Sequence, residues 1–174
     1  IKKLTGSDCT AACFNNNFAT LTLGCGAAAM ILCRSELAPA SPRFLGGVFE
    51  NATAFNRLCI GKAEEMQTDT RGLLRAGIDL GIRTAKLANW DQEKFDVFIP
   101  HQVSESYIAK ICEALQIDYD KNYLTFPYYG NMGPASVPFA LSKAFTENKI
   151  DKDSLVGILG FGSGINCALL KIQC

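Results

Sequence analysis

Asp96-Val-Phe-Ile-Pro-His-Gln-Val-Ser104 is the stretch of this 174-residue chain that decides the fold. Its apolar residues 97–99 are typical of a short buried strand, and Pro100 tends to end a strand because it has no N–H to donate. The residues that follow show an amphipathic pattern, which predicts a helix over 104–116. His101, the only histidine, therefore lies between the end of a strand and the start of a helix. Ligands of α/β proteins usually bind at such junctions.

Similar patterns predict the remaining elements and the fold class. Strands are expected at 43–50, 123–126, 155–159 and 165–172, and helices at 70–89 and 137–147. Thr68-Asp69-Thr70 offers an N-cap for the first of these helices. Gly72, Gly77 and Gly81 cost that helix stability, so we expect them to allow close packing against a sheet or another helix. The alternation of strands and helices predicts an α/β fold with helices packed on a mixed sheet.

The amino-terminal part of the chain is harder to interpret. Residues 1–18 are polar and predict no element, whereas 19–23 and 27–34 resemble two strands. Gly24-Cys-Gly26 between them predicts the tight turn of a hairpin packed in the interior. Cys25 has no neighbouring base or positive charge, so we expect a small packing residue rather than a reactive thiol. A Pro-, Ala- and Ser-rich linker at 35–42 marks the expected internal boundary.

Composition and charge argue against several classes of function. The formal net charge is zero and no basic patch stands out, which gives no support to nucleic-acid or membrane-surface binding. No apolar run approaches the ~20 residues that a membrane span needs. The eight cysteines form no Cys-x-x-Cys pair, and with a single histidine they argue against a zinc site. We therefore expect a cytoplasmic protein with reduced thiols and no cofactor. Because the chain begins at Ile1 rather than Met, we expect part of a longer protein.

The side chains at two predicted junctions indicate a chemistry. A lone histidine is more often structural than catalytic, but the position of His101 at a strand end favours a functional role. Asn131, expected at a second strand-to-helix junction, can donate a hydrogen bond but cannot take a proton. Such a pair suits an oxyanion or enolate formed on a thioester carbonyl. The loop 160–164 adds uncrowded backbone N–H groups, although a tight hairpin turn also explains its glycines. These residues alone make half of an active site.

Three motifs in this order resemble the carboxyl-terminal half of the thiolase superfamily. They are His101-Gln102, Gly130-Asn-Met-Gly-Pro-Ala-Ser-Val-Pro138 and Gly160-Phe-Gly-Ser-Gly164. Within the superfamily, the chain is similar to beta-ketoacyl-acyl-carrier-protein synthase III, and most of all to the OleA-type branch, which condenses two acyl thioesters head to head. Residues 23–30 and 66–73 also resemble that branch. The resemblance covers nearly the whole chain after about residue 15.

The resemblance implies a Claisen condensation at a Cys-His-Asn site. His101 and Asn131 would hold the carbonyl oxygen of the second thioester, and the backbone N–H of Ser163 would serve the oxyanion hole of the acyl-cysteine. Candidate pocket residues are Met66, Thr68, Gly133 and Phe161, although a helix N-terminus explains Thr68 as well. The implied fold is one half of the duplicated thiolase fold, with a mixed five-stranded sheet and helices packed on it. Acyl-CoA and acyl-carrier protein both fit as thioester substrates.

The chain departs from the family pattern at the nucleophile. No cysteine lies in the expected context, a small-residue turn before a long helix; Cys9 and Cys13 are nearest by position. The resemblance therefore implies that this cysteine, and the glutamate base that the partner subunit supplies in the OleA branch, belong to an amino-terminal half outside this chain. Residues 1–34 would be the end of that half, and 35–174 the carboxyl-terminal domain.

Further expectations and alternatives follow from this departure. We expect the chain alone to be inactive, its apolar face towards the missing half to be exposed or covered by another copy, and the full-length protein to be a homodimer. One alternative is a non-catalytic acyl-binding or partner subunit of a condensing enzyme. Another is an unrelated α/β binding domain, which would require all three motif matches to be coincidences.

Overall fold

The computed structural model describes residues 4–61 and 66–174. The strands are β1 (Arg43–Asn51), β2 (Cys59–Gly61), β3 (Met66–Thr68), β4 (Val97–Pro100), β5 (Leu155–Gly162) and β6 (Asn166–Gln173). The helices are α1 (Ala11–Asn17), α2 (Thr70–Leu87), α3 (Glu105–Leu115), α4 (Phe126–Tyr129) and α5 (Ser136–Thr146). None of these described helices is long and apolar enough to cross a membrane.

A mixed four-stranded sheet forms the centre, in the order β1-β6-β5-β4. Strands β4 and β5 are parallel, and the other two pairs are antiparallel. Strands β2 and β3 form a separate short hairpin. This sheet confirms the expected strand at 43–50, the strand before His101 and the antiparallel hairpin over 155–172. Residues 62–65, between β2 and β3, lie outside the described residues.

Apolar residues cover both faces of the sheet. Phe98 and Ile99 are adjacent in β4 and fully buried, yet each belongs to a different cluster. This alternation is expected of a strand, whose successive side chains point to opposite faces. Phe98 packs with residues of α2 and α3, and Ile99 packs with residues of α5. The single tryptophan, Trp90, is buried in the first cluster, with ring centroids 4.6 Å from Phe95 and 5.9 Å from Phe98.

Two of the predicted helices begin at a side-chain cap. The Asp69 side chain accepts the N–H of Gly72 at 2.9 Å and begins α2. The Ser104 hydroxyl accepts the N–H of Tyr107 at 3.3 Å and begins α3. Both are ordinary N-cap interactions, which satisfy backbone donors of the first helical turn. The predicted helix at 137–147 is confirmed as α5.

The secondary structure predicted for residues 11–34 is wrong. Instead of irregular chain, α1 forms from Ala11, capped by the Thr10 hydroxyl, which accepts the N–H of Cys13 at 3.1 Å. Instead of a hairpin, a 3-10 turn at Phe18–Thr22 leads to a single parallel bridge between Leu23 and Asn131. No backbone hydrogen bond joins residues 25–33 to any other residue that the structure describes.

Close packing, not a turn, explains the two glycines of this segment. A Cβ on Gly24 would lie 1.8 Å from the carbonyl oxygen of Tyr129, and one on Gly26 would lie 2.3 Å from the sulfur of Met132. The residues after them are exposed rather than interior: Ile31 is 92% exposed and Leu32 75%. Cys25 is exposed too, so the expectation of a packed cysteine is also wrong.

The strand predicted at 123–126 does not form. A single bridge between Phe98 and Asn122 stands at the edge of the sheet, and the chain then enters α4 with Pro127 in its first turn. The backbone N–H groups of Thr125 and Phe126 donate to the Gln102 side chain and so are not available to a strand ladder. The sheet therefore has four strands in the described residues, where five were expected.

Candidate active site

A cavity of about 610 Å³ lies beside the ends of β4 and β5, next to the amino-terminal turns of α2 and α3. All seven predicted site residues line it: His101, Asn131, Ser163, Met66, Thr68, Gly133 and Phe161. Most of the remaining wall is apolar and includes Leu73, Leu74 and Ile165. The structure thus brings residues from four separate stretches of the chain into one apolar cavity with a few polar groups, as ligand sites usually have.

His101 follows β4 directly and owes its position to that buried strand. Burial lowers the pKa of its imidazole from 6.5 to about 4, because burial disfavours the charged form. The ring is therefore neutral near pH 7 and carries one N–H donor. Its imidazole makes no hydrogen bond to the residues that the structure describes. A neutral donor in an apolar cavity is suited to a carbonyl oxygen that gains negative charge.

The side chain of Asn131 is fixed by its own loop. Its Oδ1 accepts the N–H of Gly133 at 2.9 Å, which assigns the oxygen and leaves the amide NH₂ as the group available to a ligand. The backbone is fixed as well, because Asn131 N–H donates to Thr22 and its carbonyl accepts from Gly24, both at 2.8 Å. Asn131 follows α4 and Gly130, not a strand, so the predicted kind of junction was wrong although the residue reaches the cavity.

Gln102 is a positioning residue to which the sequence analysis assigned no role. Its side chain is fully buried, and Nε2 donates to the carbonyls of Pro100 at 2.8 Å and Tyr123 at 3.3 Å. Its Oε1 accepts the N–H groups of Thr125 and Phe126 at 2.8 and 3.2 Å. One amide thereby ties the strand that ends at His101 to the segment that leads to Asn131. The signal for it was a polar residue directly after a buried strand, where only a satisfied side chain is tolerated.

Ser163 lies in the turn between β5 and β6, where the last register pair is Gly162 with Asn166. Its side chain is exposed, and its N–H makes no hydrogen bond with the described residues. Ser163 lines the cavity that also contains His101 and Asn131. The turn can therefore supply a backbone donor to a ligand there.

One thiol reaches the cavity. Cys59 lines it from β2, and its sulfur shares a hydrogen bond of 3.5 Å with the Thr68 hydroxyl. No charged residue or imidazole among the described residues hydrogen-bonds this thiol, so it lacks the partner that activates a nucleophilic cysteine. Cys9 and Cys13 do not line the cavity. The described residues thus provide donors for an oxyanion but no activated nucleophile.

Sequence comparisons find proteins related to this chain. Residues 85–173 match the family described as 3-Oxoacyl-[acyl-carrier-protein (ACP)] synthase III C terminal. The acyl-CoA:acyl-CoA alkyltransferase of Xanthomonas campestris is 43% identical over 176 residues, which cover 99% of this chain and 52% of that protein. The enzyme of the same name from Shewanella oneidensis is 34% identical, over 92% of this chain and 50% of its own length.

Solved structures of a related protein superpose closely on this chain. OleA of Xanthomonas campestris, in a cysteine-to-serine variant with bound lauric acid and lauroyl-CoA, superposes with a TM-score of 0.93 at 42% identity. The superposition covers 99% of this chain and 52% of that one. The chain therefore has the thiolase-like fold and spans about half the length of the curated relatives it matches.

Proposed function

Because this chain belongs to the 3-oxoacyl-[acyl-carrier-protein] synthase III family, we propose that it forms the carboxyl-terminal half of an acyltransferase that joins two acyl thioesters by Claisen condensation. One observation carries the proposal: neutral His101 and the free amide of Asn131 both face one apolar cavity. That arrangement fits a thioester whose carbonyl is polar and whose acyl chain is not. The names of the similar alkyltransferases favour acyl-CoA as the substrate.

In the proposed reaction, the carbonyl oxygen of one thioester accepts hydrogen bonds from His101 and Asn131. These donors stabilise the enolate that forms when the α-carbon loses a proton to a carboxylate base. The α-carbon then attacks a second acyl group held as a cysteine thioester; the new carbon–carbon bond forms, the carbon–sulfur bond breaks, and the cysteine leaves as a thiolate. The Ser163 N–H stabilises the tetrahedral oxyanion of that step. The base and the nucleophilic cysteine come from the amino-terminal half of the enzyme, and no cofactor is needed.

The unpaired segment 25–33 supports the proposed boundary. It is apolar and exposed, and its backbone has no partner among the described residues. Buried backbone groups are almost always paired, so in an assembled enzyme this segment would pair with strands outside this chain. Residues 1–34 then belong to the amino-terminal half and 35–174 to the carboxyl-terminal domain. A homodimer in the cytoplasm completes the proposal, and the resemblance to the OleA branch supports the dimer.

The test is an acyl-CoA condensation assay on the complete reading frame that encodes this chain. Release of free CoA and formation of the β-keto product are followed for wild type, His101→Ala and Asn131→Ala. Loss of one oxyanion donor costs about 10²–10³ in kcat, so we expect a loss of that size in each variant. Glu113→Ala, at an exposed position of α3, is the control and should retain activity. Acyl-CoA binding without CoA release in wild type would contradict the proposal and favour a non-catalytic acyl-binding subunit.

A further inference from the structure

One wall of the cavity is aromatic. Phe161 on β5 and Tyr107 on α3 both line the cavity, and their rings meet edge to face with centroids 6.1 Å apart and planes at 88°. Burial raises the pKa of the Tyr107 phenol, so the hydroxyl stays protonated and the wall is uncharged. An uncharged aromatic wall suits the alkyl chain of a thioester rather than its polar end.

Helix α2 backs this wall with glycines. A Cβ on Gly81 would lie 3.3 Å from Cζ of Phe161, which is tighter than nearly all real Cβ contacts. A Cβ on Gly77 would lie 3.4 Å from the Tyr107 hydroxyl and 3.9 Å from Cε1 of Phe161. A side chain at position 81 would therefore push the Phe161 ring away from the helix. The prediction that these two glycines allow close packing is confirmed, and the packing partners are the two rings.

Three residues along one face of α2 show what occupies the space beside the helix. Leu73, Gly77 and Gly81 are four residues apart and so share one face of the helix. Leu73 and Gly77 line the cavity, whereas at Gly81 the room beside the helix is taken by the ring of Phe161. How far this ring withdraws from the cavity is thus determined by the absence of a side chain at 81.

We propose that Gly81 determines the acyl-chain length that the enzyme accepts, by letting Phe161 withdraw towards α2 and deepen the cavity. This glycine is a positioning residue, since it acts on the substrate through the Phe161 ring. The inference rests on the proposed function, because it concerns the acyl group of the thioester substrate.

The test measures chain-length selectivity of the complete enzyme, as the ratio of kcat/KM for hexadecanoyl-CoA to that for dodecanoyl-CoA. Gly81→Ala should lower the ratio about tenfold, because a methylene that no longer fits an apolar pocket costs roughly that factor. Phe161→Leu should raise the ratio, and the double variant Gly81→Ala/Phe161→Leu should return towards wild type. Asp79→Ala is the matched control: it also improves helix propensity on α2, but its side chain is exposed.

The outcomes separate this inference from the proposed function. A wild-type enzyme that consumes no acyl-CoA overturns the proposed function itself. A wild-type enzyme that turns over, while Gly81→Ala and Phe161→Leu keep its ratio, overturns only the role of Gly81. Thermal unfolding separates selectivity from folding, since a shifted ratio at an unchanged Tm is not a folding defect. If Gly81→Ala fails to fold, an unchanged ratio in Phe161→Leu still contradicts the inference.

Discussion

In the proposed reaction, His101 is a neutral hydrogen-bond donor, and the pKa of its imidazole bears on this role. Because the pKa of its imidazole falls from 6.5 to about 4 on burial, the folded protein holds the ring neutral while the unfolded chain protonates it between those values. The unfolded state therefore binds more protons in this window. Stability attributable to His101 is complete above pH 6.5 and decreases as the pH falls towards 4, by about 3 kcal/mol in total.

This shift can be measured directly, because the chain has one histidine. We expect the imidazole Cε1–H resonance of the 174-residue chain to titrate with a midpoint near pH 4 in NMR spectra. After unfolding in urea, the same resonance should titrate near 6.5, which serves as the control. A folded-state midpoint close to 6.5 would show that the ring is solvated, and would remove the argument for a neutral donor.

Single residues also show what a sequence can and cannot indicate. His101 and Asn131 were predictable because polar side chains next to apolar runs stand out. Gln102 is as important for the geometry of the site, yet its role depends on hydrogen bonds to four backbone groups, three of them more than twenty residues away. Such partners are set by tertiary structure, and no local pattern contains them.

Among the elements, strands and helices with strong periodicity were predicted with nearly correct ends. The predictions that failed share a physical cause: tertiary contacts take up the backbone hydrogen bonds or the space that the predicted element would need. The run at 123–126 has a strand-like composition, but Gln102 takes two of its N–H groups. The glycines at 24 and 26 indicate a turn, but they serve contacts with Tyr129 and Met132. Tertiary contacts override local propensity at both places.

The contact at Gly24 predicts that a side chain at this position lowers both stability and activity. In Gly24→Ala the new methyl would overlap the Tyr129 carbonyl, so the bridge between Leu23 and Asn131 must move. We expect a loss of about 2 kcal/mol in stability, as is usual for overpacking, together with reduced condensation activity. Unfolding in urea and the CoA-release assay measure the two effects.

Gly61→Ala is the matched control for this change. A Cβ at Gly61 meets no described atom within 4 Å, so stability and activity should stay close to wild type. Equal effects of the two substitutions would show that the bridge does not position Asn131.

At the scale of the whole molecule, the sheet and its helices form a complete core, whereas segment 25–33 does not take part in it. We expect amide hydrogen exchange in this segment to be fast in the isolated 174-residue chain and strongly protected in the complete enzyme, since pairing with further strands would remove its N–H groups from water. The amides of β5 should be protected in both and serve as the internal reference. Fast exchange of 25–33 in the complete enzyme would contradict the proposed boundary.

The fold class and the site residues were predictable for related reasons. The sheet, its helices and the cavity depend on buried strands and caps that are local in sequence. The exposure of segment 25–33 could not be predicted, because an apolar run without a partner in the chain has the same composition as a buried strand. Its exposed Ile31 and Leu32 look like core residues until the rest of the fold is known.

The fluorescence of Trp90 reports on the state of the hydrophobic core. It is the single tryptophan, is buried against Phe95 and Phe98, and does not line the cavity. Its fluorescence should therefore be blue-shifted in the native state and should move to longer wavelength only when the core between α2 and the sheet opens. Emission thus reports the integrity of the scaffold behind β4 without interference from acyl chains in the cavity. The emission maximum of a variant that loses activity therefore shows whether its core is disrupted or only its active site is changed.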